Sequence, residues 1–164
     1  MWKDLPYTAE IDIPIEYFYF ARQWWNGPNV DASVWWRDAS GGCHFKSVVT
    51  GEGISPLPAV VVADREISHA EFSAVLEDCV AAGIYHIEDD RKSVVRGMHF
   101  STTVAIKRCG RPEHSYFIAA GAKNLEHAKI VRIVDKYDPD LFEGKRVDLF
   151  TLARREIDGG ESRS

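Results

Sequence analysis

Apolar and polar positions change period several times along the chain, and each change marks an element. From Glu10, Ile11, Ile13, Ile15, Tyr17 and Tyr19 alternate with Asp12, Pro14 and Glu16, a two-residue period that predicts a strand. Pro14 has no ladder donor, so the firm strand starts near Ile15 and runs to about Arg22; a short helix opening at Pro14 is the alternative. Residues 1–9 read as an irregular lead-in. Beyond the Asn26-Gly27-Pro28-Asn29 turn, Ala32–Arg37 and Cys43–Thr50 read as strands two and three, joined through Ser40-Gly41-Gly42. The run Ala59–Ala63 has no polar face, which predicts a central strand.

The period then lengthens. Ser68 caps a helix over residues 68–82, Glu71 completes a capping box, and Phe72, Val75, Leu76, Cys79 and Val80 form one apolar stripe. Gly83 ends it in a left-handed conformation. Ile84–Ile87 reads as a brief strand and Glu88–Lys92 as a charged loop. His99–Lys107 and Ser115–Ala119 form a hairpin about Cys109-Gly110-Arg111-Pro112. Asn124 caps a second helix, Leu125 to Tyr137, with Leu125, Ala128, Val131 and Val134 inward, and Asp138-Pro139 stops it. Val147–Leu152 reads equally as strand or helix, and Asp158–Ser164 as a disordered tail. Runs of strands separated by single helices predict an α+β fold, a mostly antiparallel sheet carrying two helices, in one domain over residues 1–157.

Composition narrows the partners. The 164 residues carry 20 Lys and Arg against 25 Asp and Glu, a net charge of −5. That balance disfavours nucleic acid and anionic membrane and suits a basic protein partner. No apolar run spans a bilayer, and the first six residues lack a signal peptide's basic start and apolar core, so the expected setting is cytoplasmic. Cys43, Cys79 and Cys109 are odd in number and widely spaced; free thiols are expected, with a Cys43–Cys109 disulfide the minor alternative.

Candidate chemistry is sparse. The six histidines form no His-x-x-x-His pair, and the Cys43-His44 and Cys109…His114 positions read as structural residues before a composite metal site. Cys109 between Arg108 and Arg111 has cationic neighbours, but the sequence places no base beside it. No catalytic residue, metal site or cofactor is therefore expected. The aromatic doublets Trp24-Trp25 and Trp35-Trp36 carry more information. Neighbours on a strand point to opposite faces, so one indole of each pair must meet water, a second layer or a partner. With the acidic run Glu88, Asp89 and Asp90, these four tryptophans make the candidate partner-binding set.

From Val48 to Tyr137 the signals follow a fixed order: a Gly-x-Gly turn at Gly51-Glu52-Gly53, a strand, a capped helix ending in Gly83-Ile84-Tyr85, an acidic loop, a hairpin and a closing helix. In outline this resembles emfourin-type protein inhibitors of metalloproteases and some bacterial immunity-type proteins. The Asp-Gly common before the hairpin in such proteins is replaced by Arg96-Gly97, and the Trp-rich N-terminal third lies outside the pattern. The resemblance implies a binding protein and carries over no functional residue. The expectation is thus a non-catalytic protein-binding module, an inhibitor or immunity protein neutralising a basic partner. A small-molecule binder or enzyme with an aromatic-lined pocket is the alternative, and a homodimer joined along a sheet edge is a third.

Overall fold

The computed structural model describes residues 1–24, 28–51, 55–90, 100–119 and 124–142. Six antiparallel strands form one sheet: β1 (Glu16–Trp24), β2 (Val30–Arg37), β3 (Cys43–Val49), β4 (Val60–Ile67), β5 (Phe100–Lys107) and β6 (His114–Ile118). Their order across the sheet is β4-β3-β2-β1-β5-β6, so the aromatic strand β1 lies inside, between β2 and β5. Helices α1 (His69–Ala81) and α2 (Leu125–Tyr137), with the short α3 (Pro139–Phe142), complete an α+β architecture. No helix among the described residues is long and apolar enough to cross a membrane.

Strand alternation divides the core in two. On the helix side Phe18 and Phe20 of β1, Trp35 of β2, Phe45 of β3, and Val104 and Ile106 of β5 meet Phe72, Val75, Leu76 and Cys79 of α1 and Ile130 and Val134 of α2. On the other side Tyr17, Tyr19, Ala21, Val34, Trp36 and Ala105 lie beneath Trp2 and Leu5. The N-terminal segment, expected as an irregular lead-in, is therefore the second covering layer. Tyr7 donates to the Val30 carbonyl at 2.7 Å, Tyr19 to Pro6 at 3.1 Å and Thr8 to Trp2 at 2.5 Å, which fixes that segment without a sheet ladder.

The side-chain caps at Ser68 and Asn124 form as expected, while the Glu71 side chain, expected to complete a capping box, is bonded to Arg65. Ser68 Oγ accepts from Glu71 N at 3.0 Å and Asn124 Oδ1 from His127 N at 2.8 Å. The Glu71 carboxylate lies 3.4 Å from the Arg65 guanidinium. Gly83 takes φ +88°, the left-handed conformation predicted for it.

Three expectations are corrected. Ile84–His86 is a 3-10 turn and not a strand: Gly83 redirects the chain, and the His86 and Ile87 amides bond back to Gly83 and Ile84 while Ile84 is buried. On α2 Val134 is buried and Val131 packs against the core as expected, but Leu125 is 81% exposed, and His127 and Ile130 complete the inner face. The strand begun by Ala59–Ala63 is an edge strand, not a central one, and extends through the polar residues Asp64-Arg65-Glu66 to Ile67. Val147–Leu152 and the tail Asp158–Ser164 lie outside the described residues.

Candidate functional site

Trp35 and Trp36 lie on opposite faces of the sheet, as alternation requires, and each described indole finds cover. Trp35 is wholly enclosed on the helix side, its ring 5.4 Å from Phe18 and 5.0 Å from Phe45. Trp36 is buried on the opposite side and stacks on His44 at 5.1 Å, whose Nε2 lies 2.7 Å from Asp38 Oδ2. Trp24 is buried at the end of β1, with Nε1 donating to Asp31 at 3.2 Å. Trp25 lies outside the described residues. Of the three outcomes expected for the second indole of Trp35-Trp36, water, a second layer or a partner, Trp36 meets the second layer. That layer is supplied by residues 1–11 and covers the face that the helices leave open.

Asp89 and Asp90 have a defined place beside β6, two strands from β1. Asp89 Oδ1 accepts from Phe117 N at 2.6 Å, Asp90 N donates to the Phe117 carbonyl at 2.8 Å, and Ala119 N donates to Asp90 O at 2.7 Å. The acidic run thus closes the outer edge of β6, while Glu88 stays exposed. The candidate set is dispersed: Asp89 and Asp90 bond to β6 from outside, Trp35 and Trp36 lie one in each core, and Trp24 sits at a strand end.

The other edge of the sheet is treated differently. No described strand or loop pairs with the outer side of β4. Val60 and Val61 are 40% and 52% exposed at its start, and Leu57, three residues before, is 37% exposed. This apolar stretch is held rather than loose: buried Asn29 donates to the Ser55 carbonyl at 3.1 Å and accepts from Leu57 N at 2.8 Å. A register shift between Ser47 and Val48 places a bulge at Val62. Beyond it the pairing is regular, with Asp64 opposite Lys46 and Glu66 opposite His44. Asp64, Arg65 and Glu66 are all exposed. Unpaired edge amides and carbonyls, an ordered apolar start and a charged second half make this edge the candidate interface.

Sequence reasoning missed it because the apolar run was read as an interior strand. The signal available was the alternation of charge immediately afterwards, Asp64 and Glu66 around Arg65, which an interior strand would not carry.

A cavity of about 270 Å³ lies at the opposite end of β1, lined by Trp2, Ile13, Pro14, Tyr17, Lys107 and Glu113 among others. Its polar groups are turned onto the protein. The Tyr17 hydroxyl donates to Glu113, Lys107 Nζ donates to the Arg108 and Arg111 carbonyls, and Lys3 Nζ to those of Ala9 and Ile11. Burial and the Glu113 carboxylate push the Tyr17 hydroxyl pKa upward, so this pair holds its proton. None of the described doublet tryptophans lines the cavity. The thiols of Cys43, Cys79 and Cys109 are free, Cys79 with its pKa raised by burial inside the core. Neither a protein-family model nor a curated protein matches this chain.

Proposed function

We propose that this protein is a non-catalytic protein-binding module and that its docking surface is the outer edge of β4 with the apolar stretch before it. The observation that carries the reading is the asymmetry of the two sheet edges. The β6 edge is bonded by Asp89 and Asp90, whereas among the described residues nothing pairs with the outer side of β4, beside the exposed Leu57, Val60 and Val61. An exposed apolar edge is an aggregation hazard unless something occupies it, and added strands gain affinity from the main-chain ladder. The net charge of −5 favours a basic partner, and an inhibitor- or immunity-type role, in which the module occludes that partner, fits the same surface.

The test is a photo-reactive amino acid introduced at position 61 in cells of the source, with position 125 as control, since Leu125 is exposed but lies on α2. A discrete protein adduct at position 61 and none at position 125 is the expected result. Absence of an adduct at 61, or the same adducts at both, overturns the reading.

A further inference from the structure

The charged half of β4 specifies what chemistry the partner must bring. Strand alternation sets Asp64 and Glu66 on the face turned away from the helices, the face that carries His44 and Lys46 of β3. Arg65 points to the other face, where its guanidinium lies 5.4 Å from the Phe45 ring centroid and 3.4 Å from Glu71. The one cation of this stretch is thus already engaged within the chain. Asp64 and Glu66 are exposed, and neither makes an ion pair within 4 Å among the described residues, although Lys46 and His44 are their ladder neighbours.

A strand added to β4 places its own side chains about 5 Å from these two carboxylates, at positions two apart and on one face. Like charges there are destabilising and opposite charges stabilising. A second copy of β4 fails this condition. Edge-to-edge antiparallel pairing about a two-fold axis perpendicular to the sheet sets residues of equal parity opposite one another. Centred on Asp64, it opposes Asp64 to itself; centred on Arg65, it opposes Arg65 to itself and Asp64 to Glu66 twice. Centred on Ala63, it sets Asp64 against the bulged Val62 and both remaining charges against valines. None of these registers gives the charged half a complementary partner, so that half disfavours pairing with its own copy.

We infer that the occupant of β4 is an extended segment of another protein bearing Lys or Arg at alternate positions, opposite Asp64 and Glu66. The inference rests on the reading of β4 as the docking edge and adds the partner's charge pattern to it.

Two octapeptides, one alternating threonine with lysine and one alternating threonine with glutamate, are titrated into the full chain at low salt. A third, the lysine peptide with alternate backbone nitrogens methylated, cannot complete a ladder. The expected result is binding of the lysine peptide at least about tenfold tighter than the glutamate peptide, the swing from two like-charge to two opposite-charge pairs. Methylation abolishes that binding, and the double variant Asp64→Lys with Glu66→Lys inverts the preference. Equal affinities, a preference that survives in the double variant, unimpaired binding of the methylated peptide, or binding of neither parent peptide each overturn the inference. If position 61 still yields a discrete adduct in those cases, the docking edge stands and only its charge selectivity falls.

Discussion

The Tyr116 hydroxyl and His127 Nδ1 lie 2.8 Å apart beneath α2, with the imidazole stacked on Phe20 at 6.3 Å. Burial lowers the His127 pKa from 6.5 to about 4, so the ring is neutral in the folded protein at physiological pH. In the unfolded chain it titrates near its ordinary value. Between these two values the unfolded state binds more protons than the native state, and stability rises with pH. His127 therefore contributes fully above about pH 6.5, and its contribution is lost as pH falls toward 4, a change on the order of 3 kcal/mol. Urea unfolding midpoints followed from pH 7 to 4 measure this. His127→Gln is expected to flatten that part of the profile, and a variant with the same slope as the parent would remove His127 as its source.

Asn29 couples the turn region of β2 to the candidate interface through its bonds to Ser55 and Leu57. Asn29→Ala removes both, leaving the Leu57 amide to exchange with solvent. The expected outcome is faster hydrogen exchange at Leu57 and weaker partner capture at position 61, for a global stability loss of about 1–2 kcal/mol. Unchanged exchange at Leu57 would show that something other than Asn29 orders the segment.

The elements fixed by local chemistry were legible in the sequence. Ser68 and Asn124 accept the amide hydrogens their cap positions require, Gly83 adopts the left-handed conformation that ends α1, and the hairpin about Cys109-Gly110 pairs as read. What remained illegible depends on tertiary placement. Ala59–Ala63 has the composition of an interior strand, and only its position outside β3 makes it an edge. The indoles of Trp35 and Trp36 were bound to face opposite ways, but the cover over Trp36 comes from residues 1–11, which carry no regular period. His127 has no apolar side chain to mark it as inward, yet its bond to Tyr116 lets it occupy the inner face of α2. The candidate interface was hidden for the same reason as the edge itself.

Arg22 and Asp31, directly opposed on β1 and β2, form a buried ion pair at 3.6 Å that separates two outcomes for one site. Asp31 is enclosed and well served: its oxygens accept from Thr50 N at 2.7 Å, Gly51 N at 3.2 Å and Trp24 Nε1 at 3.2 Å. Arg22 in turn donates to the Leu141 carbonyl at 3.3 Å, tying α3 to the sheet. Asp31→Ala strands a buried guanidinium and the donors of Trp24, Thr50 and Gly51, and is expected to cost about 3–5 kcal/mol. Arg22→Met alone removes the cation but keeps the carboxylate with its hydrogen-bond donors on Trp24, Thr50 and Gly51, so its cost is expected to be smaller. Combining Arg22→Met with Asp31→Leu removes both charges, so the double variant is expected to be more stable than Asp31→Ala, because no unpaired guanidinium is left buried. Chemical denaturation of the three variants decides the matter. A double variant no more stable than Asp31→Ala would mean that the bonds to Thr50, Gly51 and Trp24, not the charge on Arg22, set the worth of Asp31.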